Sequence, residues 1–199
     1  MGDKYESFRE LATHEREGTD FQIRSRHTQS STLIVAPHGG GIEPGTSEIA
    51  DVVALEKYSF YAFEGLKPSG NATLHITSTR FDEPRCLSMI SCSNRVLVVH
   101  GRDIDEPIVF LGERDFALMR TIARDLKDAG FATSERDEPE FQGVNPHNVC
   151  NRGSSGAGVQ LEISVGLRRS MFKSLSSAGR EIRSEMFFLF TNALRKAMG

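Results

Sequence analysis

The sequence is poor in cross-linking residues: Cys86, Cys92 and Cys150 are an odd number, with no C-x-x-C pair among them. That argues against a disulfide framework and a zinc knuckle, and predicts buried free thiols instead. Long hydrophobic runs are missing as well. None approaches the roughly 18 residues of a membrane span, and Met1 to Asp20 is too charged for a secretory signal. The chain therefore reads as made and folded in the cytoplasm, without a signal peptide or a membrane partner. A basic excess is also lacking: 24 Lys and Arg stand against 27 Asp and Glu, a formal net charge of -3. That argues against a dedicated nucleic-acid binder. No internal repeat is visible. What is there, 199 residues with 38% hydrophobic and 26% charged positions, fits a single domain over residues 1–199, expected as a monomer. Such a chain buries a core without staples, so any metal would serve chemistry.

The charge is unevenly spread. Residues 1–165 hold 17 Lys and Arg against 25 Asp and Glu, net -8, whereas residues 166–199 hold 7 against 2, net +5. The basic C-terminal segment is either a solvated helix face or a guide for a polyanionic substrate, acting through a field that salt screens.

Alternating strand-like and helix-like segments predict an α/β fold, an open mixed sheet with flanking helices. A helix is expected over 4–15 and an edge strand over 20–27. Leu33-Ile34-Val35-Ala36 reads as a buried central strand that stops at Pro37-His38-Gly39-Gly40-Gly41. A helix from Thr46 to Glu56 and strands at 59–63 and 73–78 follow. Arg95 to His100 is apolar on both faces, as in a parallel sheet, and stops at His100-Gly101. After a strand at 108–111, a helix over 114–129 carries the stripe Phe116, Met119, Ile122, Ala123, Leu126 and stops at Gly130. Residues 136–158 are irregular in composition, and a long irregular segment in a compact domain is usually functional or mobile. A strand at 159–164 and a last helix over 180–197, with Ile182, Met186, Phe190 and Leu194 in line, complete the pattern.

The chemistry concentrates in Pro37-His38-Gly39-Gly40-Gly41-Ile42-Glu43-Pro44-Gly45-Thr46, a glycine-rich turn after a central strand, where α/β folds place active sites. Read as a phosphate loop, Gly40 to Thr46 lacks the lysine after Gly45, and Glu43 would repel phosphate. Read as the H-G-G-G oxyanion turn of a serine hydrolase, it has a partner in Gly153-Ser154-Ser155-Gly156-Ala157, one residue short of a nucleophile elbow. Chain order weighs against it: the catalytic His should follow the nucleophile, and the last one, His147, precedes Ser155 by eight residues. Read as a metal loop, His38 and Glu43 donate from one tight turn, and glycines let them converge. His100 is the natural third ligand, because it too ends an apolar strand before a glycine. Two His and one carboxylate with an open position is a catalytic zinc set. Catalysis also needs a base that is not a ligand. Glu162 interrupts the strand Val159 to Ser164 and shares a face with Gln160 and Ser164, opposite Val159, Leu161 and Ile163. Arg152, on the irregular segment, is suited to fork a carboxylate.

Together these residues resemble the poly-γ-glutamate hydrolases of Bacillus phages and prophages. The resemblance lies in P-H-G-G-G-I-E-P-G-T-S-E at 37–48, H-I-T-S-T at 75–79, L-V-V-H-G at 97–101, N-x-C-N-R-G from 148 and G-V-Q-L-E-I-S to 164, and covers about Tyr5 to Leu194. It implies a zinc-dependent hydrolase of γ-glutamyl amide bonds with a zinc carboxypeptidase-like fold and poly-γ-glutamate as substrate. It also implies His38, Glu43 and His100 as Zn2+ ligands and Glu162 as general base. The spacing departs from the carboxypeptidases, H-x-x-x-x-E in place of H-x-x-E. Asn151 and Arg152 resemble a carboxypeptidase carboxylate-binding pair, although they fall after His100 instead of before it. Arg80 and His75, on or just beyond the strand expected at 73–78, are further candidates for the cleft wall. The alternatives left open are the serine hydrolase and a non-catalytic binding module for acidic polymers.

Overall fold

The computed structural model describes residues 2–134 and 143–199. A seven-stranded sheet runs in the order β1-β3-β2-β4-β7-β5-β6. Its strands are β1 (Phe21–Arg26), β2 (Thr32–Gly40), β3 (Ser59–Gly65), β4 (Arg95–Arg102), β5 (Val109–Glu113), β6 (Thr133–Ser134) and β7 (Val159–Ser164). The pairs β3–β2, β2–β4, β4–β7 and β5–β6 are parallel, whereas β1–β3 and β5–β7 are antiparallel. The sheet is open and mixed, as the alternation of segments predicts.

Alternation along the central strands divides the core in two. Ile34, Ala36, Phe60, Ala62, Leu97, Val99, Leu161 and Ile163 pack with residues of α2 (Thr46–Ala54), α4 (Phe116–Asp128) and α7 (Glu185–Met198). Leu33, Val35, Tyr61, Phe63, Val96 and Val98 face the other way, onto Leu11 of α1 (Phe8–His14) and Cys86, Met89 and Ile90 of α3 (Pro84–Ser91). A strand covered on both sides loses the polar alternation of an exposed sheet, which is why β2 and β4 read as continuous apolar runs.

Several expectations are corrected. No strand forms at 73–78: Gly70 takes a left-handed φ of 75°, and a 3₁₀ turn spans Asn71–Leu74. The Asn71 side chain bonds both the amide and the carbonyl of Lys67, a local alternative to sheet pairing. The last helix is interrupted: α6 (Ser177–Arg180) ends before Ser184 caps α7 through the Phe187 amide. That break turns the buried stripe to Phe187, Phe190, Leu194 and Ala197 and leaves Ile182 and Met186 exposed. Phe116, placed in the α4 stripe by its sequence, is exposed as well. Helix α5 (Val165–Met171) follows β7 directly, capped by Ser164 through the Leu167 amide. Cys86 and Cys150 are buried free thiols, but Cys92 is exposed. The irregular segment expected over 136–158 lies partly outside the described residues; the rest carries one 3₁₀ turn, Val149–Asn151. No helix among the described residues is long and apolar enough to cross a membrane.

Candidate metal centre

The cleft opens where the sheet changes direction. From β2 the chain passes through α2 to β3 on one side, and then through α3 to β4 on the other. At such a switch point the loops beyond the carboxyl ends of the strands diverge. The β2–β4 pairing is seen from Thr32/Arg95 to Val35/Val98. Between Ala36 and Gly39 the β2–β3 register shifts. The extra residue is a bulge that accommodates Pro37, which has no N–H for the ladder, and re-aims His38 into the gap. Gly40 follows at a φ of 63°, where an added Cβ would lie 2.5 Å from the Gly65 carbonyl oxygen.

Side chains from separate elements meet in this gap. His38 Nδ1 lies 3.1 Å from Glu43 Oε1 and 3.1 Å from His100 Nδ1. The other pair, His100 Nδ1 and Glu43 Oε2, is 3.7 Å apart. Glu43 is held by the Gly101 amide, which donates to Oε2 at 2.8 Å. His38 Nε2 faces the Ile76 carbonyl at 2.9 Å, so that nitrogen carries a proton in either charge state; Nδ1 is an acceptor in the neutral ring and donates to Glu43 in the protonated one. His100 Nε2 pairs with Ser78 Oγ at 3.0 Å. A fourth donor, His75, stacks on His38 with ring centroids 4.0 Å apart and brings Nε2 to 3.9 Å from Glu43 Oε1. Its Nδ1 is 2.6 Å from Asp3 Oδ1.

This is a concentration of acceptors aimed at one point, an arrangement that a cation satisfies. Two trios share His38 and Glu43, one completed by His100 and the other by His75; the latter three offer ligand atoms all within 4.8 Å of one another. Ligands 2.0–2.1 Å from a tetrahedral zinc lie about 3.3 Å from each other. The His38–Glu43–His100 separations of 3.1, 3.1 and 3.7 Å bracket that value, whereas His75 stands farther from Glu43. Both flanking histidines are oriented by partners on their far nitrogens, the outer support that metal-binding imidazoles require.

The electrostatics follow from burial and neighbours. Burial would raise the Glu43 carboxyl, but the His38 charge and hydrogen bonds from His100 and His38 hold it well below the usual range. The neighbouring His38 charge, with burial, pushes His75 down to about 4 against the pull of Asp3. Burial lowers His100, but Glu162 and Glu43 outweigh it and raise its pKa. Glu162 pairs with His100 across the β4–β7 register. Burial drives its carboxyl up to about 7, against His100 and with Glu43 adding to the rise. A chain of amides orders it: Asn148 Nδ2 donates to Gln160 Oε1 at 2.8 Å, and Gln160 Nε2 to Glu162 Oε1 at 3.3 Å.

The cleft, about 490 Å³, is lined by His38, Glu43, His75, Thr77, Ser78, Thr79, His100, Gly101, Arg102, Asp103, Asn148, Gln160 and Glu162. The structure thus brings His38, Glu43, His100 and Glu162 together and leaves three expected substrate contacts outside. Arg152 donates to the carbonyls of His147, Phe81 and Thr79, clamping two loops. Asn151 is buried, donating to the Gly143 and Asn145 carbonyls and accepting from the Gly158 amide. Arg80 pairs with Asp3 and Glu6. Ser155, the nucleophile of the serine-hydrolase alternative, folds its hydroxyl onto the Ala157 carbonyl and is exposed away from these histidines. In the basic C-terminal segment, Arg169, Arg180 and Lys196 pair with Asp105, Glu48 and Asp125, and Arg168 caps carbonyls. Asp3 and Arg102 were not singled out in the sequence. Strand alternation carries the signal for Arg102, which shares a face with His100; Asp3 has no local signal, since its partner is 72 positions away.

Comparison with known proteins gives the family of the chain. The family model for poly-gamma-glutamate hydrolase matches residues 5–193. The UPF0714 protein YndL of Bacillus subtilis is 39% identical over 195 residues, covering 96% of this chain and 76% of that protein. A bacteriophage poly-gamma-glutamate hydrolase structure superposes with a TM-score of 0.96 at 35% identity, covering 99% of this chain and 97% of that one. A YndL structure in a zinc-free apo form does so with a TM-score of 0.91 at 36% identity, covering 99% and 98%. The chain belongs to the poly-gamma-glutamate hydrolase family.

Proposed function

We propose that this chain is a zinc-dependent hydrolase of the γ-amide bonds of poly-γ-glutamate, with His38, Glu43 and His100 as the ligands and Glu162 as the general base. The observation that carries the reading is the spacing of the three acceptors, 3.1, 3.1 and 3.7 Å, in a cleft that also holds a buried carboxylate. That a relative's structure is described as zinc-free supports zinc as the metal.

When bound, zinc supplies an electrophile that polarises a carbonyl and makes water acidic enough to attack at neutral pH. The chain's own groups do the rest. Glu162, near neutrality in its affinity for protons, takes the proton of the attacking water and returns it to the leaving amine. The Asn148–Gln160 relay keeps its carboxylate in one orientation. The Gly101 amide fixes Glu43. The net +5 of residues 166–199 favours approach of a polyanion, although pairing of several of its cations confines the effect to a long-range field.

Metal analysis of the purified protein, combined with viscosity loss of poly-γ-glutamate before and after chelation, tests the reading. One equivalent of zinc and activity that disappears on chelation and returns with zinc are expected. Full activity in metal-free protein overturns it, and binding of the polymer without cleavage points to a non-catalytic module.

A further inference from the structure

Poly-γ-glutamate keeps a free α-carboxylate on every residue, so a hydrolase of that polymer has an anion beside the bond it cuts. The proposed function leaves the receptor of that anion unassigned, and the arginine expected for it, Arg152, lies outside the cleft. Among the described residues, one Lys or Arg lines the cleft: Arg102.

Its position follows from the sheet. Arg102 is the last residue of β4, two beyond His100, and so projects from the same face of the strand. Its register partner on β7 is Ser164, one alternation beyond Glu162. Its guanidinium carbon lies 4.5 Å from the centroid of Phe110, whose own register partner is Glu162. A cation held over an aromatic face is confined by it, and a guanidinium can grip a carboxylate through two N–H groups at its edge, so Phe110 keeps the Arg102 side chain on this wall of the cleft. The neighbouring arginine, Arg168, has its three nitrogens on the carbonyls of Ile163, Pro44 and Arg102. It holds the Arg102 backbone and the Glu43 loop in place. An added Cβ at Gly101 would meet its guanidinium carbon at 2.6 Å, so the glycine between His100 and Arg102 lets Arg168 pass beneath.

We propose that Arg102 is the residue that binds the substrate α-carboxylate next to the scissile γ-amide. This rests on the hydrolase reading above and deepens it. The geometry places a planar two-pronged cation on the same wall as the metal ligand His100 and the base Glu162, and a γ-linked chain carries a carboxylate on the same carbon as its amide nitrogen. An α-linked peptide places its carboxylates elsewhere, so the same contact discriminates between the two linkages.

The test compares γ-linked glutamate oligomers with oligomers in which the α-carboxylate at the cleaved residue is replaced by an isosteric carboxamide. Wild type is expected to lose roughly 10-fold to 150-fold in kcat/KM on the carboxamide, the range of a lost charge-assisted hydrogen bond. Arg102→Gln should lose a similar factor on the carboxylate substrate and little more on the carboxamide, while retaining full zinc content. Arg102→Lys should recover part of the loss, because it keeps charge but not the fork. If wild type cleaves both oligomers equally, the carboxylate is not read and the assignment of Arg102 fails, while the hydrolase reading stands. If Arg102→Gln loses equally on both, Arg102 acts through Glu162 or through packing, and the assignment is likewise overturned. If wild type with bound zinc cleaves neither, it is the parent reading that fails.

Discussion

His38 Nδ1 and His100 Nδ1 face each other at 3.1 Å across the gap between β2 and β4. Two imidazole lone pairs at that distance repel unless a proton or a cation lies between them. With Glu43 alongside, this contact is the ground on which the proposed function takes His100 and not His75 as the third ligand, although His75 also has outer support in Asp3.

Zinc content reads that selection directly. His38→Ala, Glu43→Ala and His100→Ala should each lose the bound metal while circular dichroism shows a folded domain, because the core does not depend on it. His75→Ala should keep close to one equivalent. The reverse pattern, with zinc lost from His75→Ala and kept in His100→Ala, would assign the site to His38, Glu43 and His75.

Glu162→Gln should keep zinc and polymer affinity yet lose on the order of 100-fold or more in turnover, as removal of a general base does. The metal-free protein offers a second readout. A carboxyl whose folded pKa is raised to about 7 contributes most to stability below its unfolded value, near the ordinary carboxylate range. That contribution falls as pH rises and levels off above about 7. Glu162→Gln should therefore stabilise metal-free protein at pH 8, with the gain shrinking toward pH 5. Carbon-13 NMR of the side-chain carboxyl should show its midpoint near 7 and a downward move on adding zinc. A midpoint near 4 in metal-free protein would remove the claim of a buried, proton-loving base.

How much of this was legible in the sequence depends on the range of the interaction. Strands β2 and β4 show themselves because burial on both faces makes them apolar runs, and the glycines that follow mark His38 and His100. In β7 apolar and polar residues alternate, and Glu162 stands out as the charge on its polar face. The clamp made by Arg152 is not legible in the sequence, because a loop arginine looks the same whether it meets a ligand or three carbonyls; the carbonyls of Thr79 and Phe81 lie 73 and 71 positions away. The segment 73–78 has strand-like composition, yet Asn71 and Gly70 divert it, and its irregular path is what carries His75 and Ser78 to the cleft.

That clamp gives Arg152 a different expected phenotype. Arg152→Lys cannot span three carbonyls with one ammonium, so it should lower stability by about 1 to 3 kcal/mol. The ratio of carboxylate to carboxamide cleavage should stay at the wild-type value. Urea unfolding and the two-substrate assay together decide it. An unchanged midpoint with a collapsed ratio would return Arg152 to the substrate.

Asp3 ties the N-terminal segment to the cleft rim through His75 Nδ1, the Thr77 amide at 2.7 Å and Arg80 Nη2 at 2.6 Å. Burial alone would raise its carboxyl, but the hydrogen bonds from Thr77 and His75 outweigh that and hold it at about 2. The sign is that of a depressed acid: the stabilisation is complete above the ordinary value near 4 and disappears as pH falls through about 2. Asp3→Ala should therefore cost about 1.5 to 3 kcal/mol at pH 7, the range for hydrogen bonds to a charged group. The difference from wild type should narrow from pH 4 downward. Because Asp3 also fixes the plane of His75 without touching His38, Glu43 or His100, zinc content should stay near one equivalent. Denaturant midpoints of both proteins between pH 2 and pH 7, with metal analysis at pH 7, measure both effects. A stability loss that is constant across that range would mean that Asp3 anchors the segment by packing and not by its charge.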